Sequence, residues 1–199
     1  MKEVNSAIIM IIVLALFISC KDDTAIDDSK IRTRYFNLEK YGWKTREHTQ
    51  KVDRISFKAA EVPVAYYILN NKGNDNLFEI DSIEKANNSE RIIEFNFSDD
   101  EEKDLLNQEF TGMEYDDAVK YMSFSINKDF YVVTSKKDTI PCSGIVFERS
   151  FKVAPIHKLL LFFGNIKPKD KIQLIYNDQL FGKGILKFKF EQPIIRAEL

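Results

Sequence analysis

The sequence predicts a mainly β domain of the α+β class: an antiparallel β-sandwich-like fold with an inserted pair of short helices. Three observations predict it. Several segments alternate apolar and polar residues with period two, the pattern of a strand buried on one face. Turn-forming clusters of Asn, Asp, Gly and Pro fall between them at short intervals. One central stretch breaks the alternation and carries helix-start signals instead.

Near the C-terminus Leu186, Phe188 and Phe190 share one face, while Lys187, Lys189 and Glu191 share the other. Ile172, Leu174 and Tyr176 point one way, as do Ile93, Phe95 and Phe97. Further strands are predicted at 52–58, 64–69, 77–83, 130–134, 145–151 and 158–163. The last is an apolar block suited to a central strand buried on both faces. Turns are predicted at 70–75, at Gly164-Asn165, at 167–170 and at Asn177-Asp178.

Ser98-Asp99-Asp100-Glu101 has the form of a capping box, with further acids to complement the helix dipole. Leu105, Leu106 and Phe110 then supply an apolar stripe. Thr111-Gly112-Met113-Glu114 offers a second box, after which Tyr115, Ala118, Val119 and Met122 fall at helical spacing. Two short helices between strands follow from this.

The chain has 199 residues, of which sixteen are Phe and eight Tyr, enough large apolar groups for one domain with a core. Twenty-nine basic residues face thirty-one acidic ones, scattered without a basic stripe. A net charge of -2 therefore argues against nucleic acid as a partner.

Three regions are expected: a leader at 1–19, a flexible tether at 20–34, and a single β-rich domain at 35–199. The leader holds twelve uninterrupted apolar residues, 7–18. As a helix that run is about 18 Å long, well short of a ~30 Å hydrocarbon core, and so reads as a signal-peptide apolar region. It ends in Phe17-Ile18-Ser19-Cys20.

Here the chain resembles the lipobox of bacterial lipoproteins, with Phe17 where that class usually has Leu. The resemblance implies export, cleavage before Cys20, a thioether from the Cys20 thiol to diacylglycerol, and further acylation with palmitate-type chains. Lys21-Asp22-Asp23 resembles the surface-export signal of lipoproteins of the Bacteroidota phylum. The alternative there is an ordinary polar tether, with the domain on the periplasmic face of the outer membrane. Asp23-Thr24-Ala25, Asp81-Ser82-Ile83 and Asp138-Thr139-Ile140 resemble O-glycosylation triplets of the same phylum. If Cys20 is lipidated, Cys142 is left as a free thiol and no internal disulfide forms. The charged tether reaches at most about 45–50 Å.

No residue pattern identifies an activity. The acidic run Asp99, Asp100, Glu101, Glu102 and Asp104 lacks the alternating oxygens and glycine of a calcium loop, so helix capping explains it. His48 and His157 lie in no metal-ligand spacing, and no metal or cofactor is expected. Cys142 follows Pro141 at a strand entry, where a small buried thiol is the plainer reading than a nucleophile. Tyr35, Phe36, Tyr41 and Trp43, with Tyr66 and Tyr67, either close one end of the core or form a contact platform.

The sequence thus leads to an outer-membrane, lipid-anchored envelope protein, on the periplasmic face or the cell surface. Its role reads as a non-enzymatic protein-binding or complex-accessory module. The alternatives are a glycan-binding accessory protein using the aromatic stretch, and a hydrolase using dispersed carboxylates or Cys142.

Overall fold

A computed structural model describes residues 47–64, 67, 82–83, 86–148, 155–167 and 169–191. Among the described residues nine strands make two antiparallel sheets: β1 (His48–Val52), β2 (Ile55–Val62), β3 (Arg91–Asp99), β4 (Phe130–Thr134), β5 (Thr139–Pro141), β6 (Gly144–Glu148), β7 (Ile156–Phe163), β8 (Ile172–Asp178) and β9 (Gly184–Phe190). The five-stranded sheet runs β1-β2-β3-β7-β6 and the four-stranded sheet runs β5-β4-β8-β9. This is the β-sandwich-like architecture that the alternation foretold.

Register explains how the two-residue period builds one core. Phe57 pairs with Phe97, Ala59 with Phe95, and Phe95 with Leu159, so these side chains leave the five-stranded sheet on one face. Phe130 pairs with Tyr176, and Tyr176 with Leu186, on the inner face of the other sheet. The faces meet at Phe95, whose ring lies edge-on to Phe130, Tyr176 and Phe188 at 5.0, 5.4 and 5.3 Å. Such edge-to-face pairs add to the burial of area. As expected, β7 is an interior strand.

Both sides of the sandwich are drawn together. On one side the chain crosses between sheets in a single step. The Cys142 N–H donates to Phe130 O of the four-stranded sheet, and the Ser143 N–H to Phe162 O of the five-stranded sheet. On the other side the Gln50 amide donates to Lys187 O, and the His48 ring lies edge-on to Phe190 at 5.2 Å.

Two helices, α1 (Gln108–Thr111) and α2 (Tyr115–Phe124), and a 3₁₀ turn (Ile126–Asp129) close one end. Ala118 and Met122 of α2 enter the core, with Val119 packed beside them. The expectation of a helix beginning at Ser98 is corrected. Ser98 and Asp99 finish β3, where Ser98 pairs with Ile156, and Glu102 adopts a positive φ that no helix continues through. The capping-box signal at Asp99 is spent elsewhere, as described below. Thr111 ends α1 rather than starting α2, and Gly112 supplies the left-handed stop at φ 68°.

Two predicted strands are also corrected where they are described. Val64 and Tyr67 are helical, as are Ser82 and Ile83. Val64 and Tyr67, three positions apart, both pack on Val62, Ile92 and Leu160 on the outer face of the five-stranded sheet. The predicted turn at 70–75 and most of 77–83 lie outside the described residues.

Candidate functional site

Most buried ionisable groups gather at the helix-capped end, because strand ends and the 100–129 segment converge there. Three networks occupy it. In the first, Asp104 stands in the segment before α1 and His157 at the start of β7. His157 Nε2 lies 2.9 Å from Asp104 Oδ1, which also accepts the Leu106 N–H at 3.0 Å. Tyr115 donates its hydroxyl to Asp104 Oδ2 at 3.0 Å. Burial works to raise the Asp104 pKa, yet the Leu106 N–H, His157 and Tyr115 outweigh it and hold the group below its usual value. Burial depresses the His157 pKa against the pull of Asp104, which favours the neutral ring. His157 is 4% exposed, and its Nδ1 has no hydrogen-bond partner. An imidazole held by a carboxylate is the arrangement of a general base. Here it faces Phe147 at 6.2 Å inside the core, so it pins the 100–107 segment to β7.

The second network pairs two tyrosines with two buried aspartates. Tyr121 of α2 donates to Asp129 Oδ2 at 2.7 Å, and Tyr176 of β8 to Asp178 Oδ1 at 2.7 Å. Burial raises the Asp129 pKa, the Tyr121 bond opposes this, and the nearby Asp178 charge adds to it. Asp178 also accepts backbone N–H groups of Leu180, Phe181 and Lys183 at 3.0, 3.0 and 2.8 Å. One carboxylate thereby shapes the whole β8–β9 turn, which is Asx-type chemistry on a buried side chain.

The third network explains the acidic run. Arg54, in the β1–β2 turn, grips Asp99 through Nε and Nη2, and Nη2 also reaches Glu101 Oε2 at 2.9 Å. Its guanidinium sits 5.3 Å from the Phe110 ring centre. Asp99 further accepts the Glu101 and Lys103 N–H groups, and the Arg54 bond does most to lower its pKa, to about 2. The expected helix capping is corrected: Asp99 and Asp104 accept turn N–H groups in a loop clamped by arginine.

At the opposite end Arg91 donates to Glu61 within the core, and its Nη1 reaches Lys167 O and Asp170 O at 3.2 and 3.1 Å. Cys142 is buried, its Sγ lies 3.1 Å from Gly144 O, and burial pushes its thiol up to about 11. That is opposite to the shift a nucleophile needs. Among the described residues no group of three or more His, Cys, Asp and Glu side chains could hold a metal ion.

Of the residues singled out in the sequence, Cys20, Lys21, Asp22, Asp23, Tyr35, Tyr41, Trp43 and Tyr66 lie outside the described residues. Tyr67 is half-buried, with its ring edge-on to Phe162 at 5.1 Å. No local pattern signals the Asp104–His157 pair, whose members are 53 positions apart. Only strand pairing brings them together.

No family model matches this chain, and a search of curated proteins finds no match. Among solved structures it is similar to a DUF4426 family protein from Pseudomonas aeruginosa PAO1, at 11% identity and a TM-score of 0.38. That alignment covers 76% of this chain and 97% of the other. It is also similar to a novel protein of unknown function from Burkholderia pseudomallei K96243, at 8% identity and a TM-score of 0.37, covering 81% and 86% of the two chains.

Proposed function

We propose that this chain is a lipid-anchored envelope protein whose sandwich domain serves as a protein-binding or complex-accessory module. The observation that carries the reading is the twelve-residue apolar run ending in Ser19-Cys20, followed directly by a charged, tether-like stretch. Two or three acyl chains on one cysteine meet the condition for stable anchoring, since each buried methylene contributes about 0.8 kcal/mol. The domain's chemistry supports the second half of the reading. Asp99, Asp104, Asp129 and Asp178 are each engaged by internal donors, so these carboxylates hold loops and turns in place. Phe124, 79% exposed at the end of α2, and Ile156 at the start of β7 offer apolar contact material at the same end.

Metabolic labelling with a clickable palmitate analogue, followed by membrane fractionation, tests the anchor. Cys20→Ala abolishes the label and releases the domain; a label that persists in this variant refutes the reading. Cross-linking on intact cells and mass spectrometry then test the module. A reproducible partner, lost on membrane release, supports it, and failure to recover any partner counts against it.

A further inference from the structure

The outer face of the four-stranded sheet is distinct in charge. It carries Ile185, Lys187 and Lys189 exposed on β9 and half-buried Tyr131 and Val133 on β4, while Ile175 of β8, between them, is only 3% exposed. The other outward positions within its strands are uncharged, and Glu191, directly after β9, is the one acid that continues the lysines' row among the described residues. Lys187 and Lys189 are exposed and have no ion-pair partner among the described residues. The lysines of the five-stranded sheet differ: Lys58 pairs with Glu47 at 3.2 Å and Lys158 with Glu148 at 2.9 Å. Ile185, 58% exposed, stands two positions from Lys187 on the same face.

The point at which the chain enters the domain bears on this face. β1 begins at His48, against Phe190, and Gln50 bonds to the backbone of Lys187. The first described strand therefore lies beside β9, the strand that carries both lysines.

The geometry points to this face as a docking surface for an anionic lipid bilayer, the one into which the Cys20 acyl chains insert; this rests on the lipid-anchor reading above. Lys187 and Lys189 meet lipid phosphates, Ile185 enters the headgroup boundary, and Tyr131 offers a ring with one apolar and one wet end. Charge favours a lipid surface, since two exposed lysines without an ion-pair partner among the described residues can each meet a phosphate. A contact too weak to hold a free domain suffices for a tethered one, because the tether raises its local concentration at the bilayer.

The test uses the full chain with its anchor, reconstituted into phosphatidylcholine vesicles with or without phosphatidylglycerol. A nitroxide is placed at Ile185→Cys, or at Lys58→Cys on the opposite face. Cys142 is buried and its thiol is pushed up to about 11, so labelling goes to the introduced cysteine. The expected result is that the 185 label loses access to a water-soluble relaxation agent in anionic vesicles only, while the 58 label does not. Lys187→Glu with Lys189→Glu restores access, the docked-to-free ratio falling about thirtyfold for two lysines at an anionic surface. Equal access at both positions in anionic vesicles overturns the proposal. So does protection that persists in pure phosphatidylcholine and survives the double charge reversal, which would signify contact with protein. The acyl mass on Cys20 is measured separately. Its absence overturns the anchor reading, and equal access with the acyl mass present overturns the face alone.

Discussion

Asp178→Ala removes the group on which the β8–β9 turn is built, and the loss can be sized from its contacts. The carboxylate is 4% exposed and accepts four hydrogen bonds, three from backbone N–H groups and one from the Tyr176 hydroxyl. Each buried donor left without a partner costs about 1–3 kcal/mol. Partial relief comes from Asp129, which loses the like charge that helps raise its pKa. A net destabilisation of about 3–5 kcal/mol follows, a large share of the ~5–15 kcal/mol typical of a domain. In urea, with a slope of about 2 kcal/mol/M, the midpoint falls by about 2 M with the slope unchanged. Asp53→Asn is the control, since Asp53 meets Lys183 only through an exposed bond to its Nζ at 2.8 Å, and Asn tolerates the φ of 54° at this position. It changes stability by about 0.5 kcal/mol or less. A loss below about 1 kcal/mol for Asp178→Ala would refute the reasoning, because the turn's donors would then be finding water at no cost.

Four further outcomes are expected. Because burial depresses the His157 pKa, the unfolded chain takes up the proton more readily; stability is full above about pH 6.5 and declines as pH falls below it. Urea midpoints for the wild type and His157→Gln across pH 5 to 8 check this, and an identical slope in the two chains would count against the assignment. The Asp99 contribution has its own window: with the folded group at about 2, it is present above about pH 4 and lost as pH falls toward 2, and Asp99→Asn flattens that acid limb. Phe95→Ala empties the centre of the core and costs about 3–5 kcal/mol by the same urea assay. In the native protein Cys142 resists a thiol reagent at pH 8 and reacts at once in denaturant; a fast native reaction would show that the β5–β6 crossing opens.

The sequence by itself determined the class of fold and the inward faces of its strands. Leu186, Phe188 and Phe190, or Ile93, Phe95 and Phe97, can be assigned from alternation because a strand has only two faces and burial chooses one. The leader proposed above rests on a signal of the same local kind, twelve apolar residues before a cysteine, read independently of folding. Local signals failed where a side chain found a distant partner. Asp99 has the sequence of a helix cap, but Arg54 claims its carboxylate, and the helix starts nine residues later. Val64 and Tyr67 fall in a segment that reads as strand, yet a hydrophobic patch on a neighbouring sheet can be covered equally well at helical spacing. Only the tertiary structure decided which strands are neighbours, and with them the Asp104–His157 pair and the Arg54–Asp99 clamp. Those depend on register between segments far apart in the chain, and a pairing energy spread over many residues leaves no mark at any one of them.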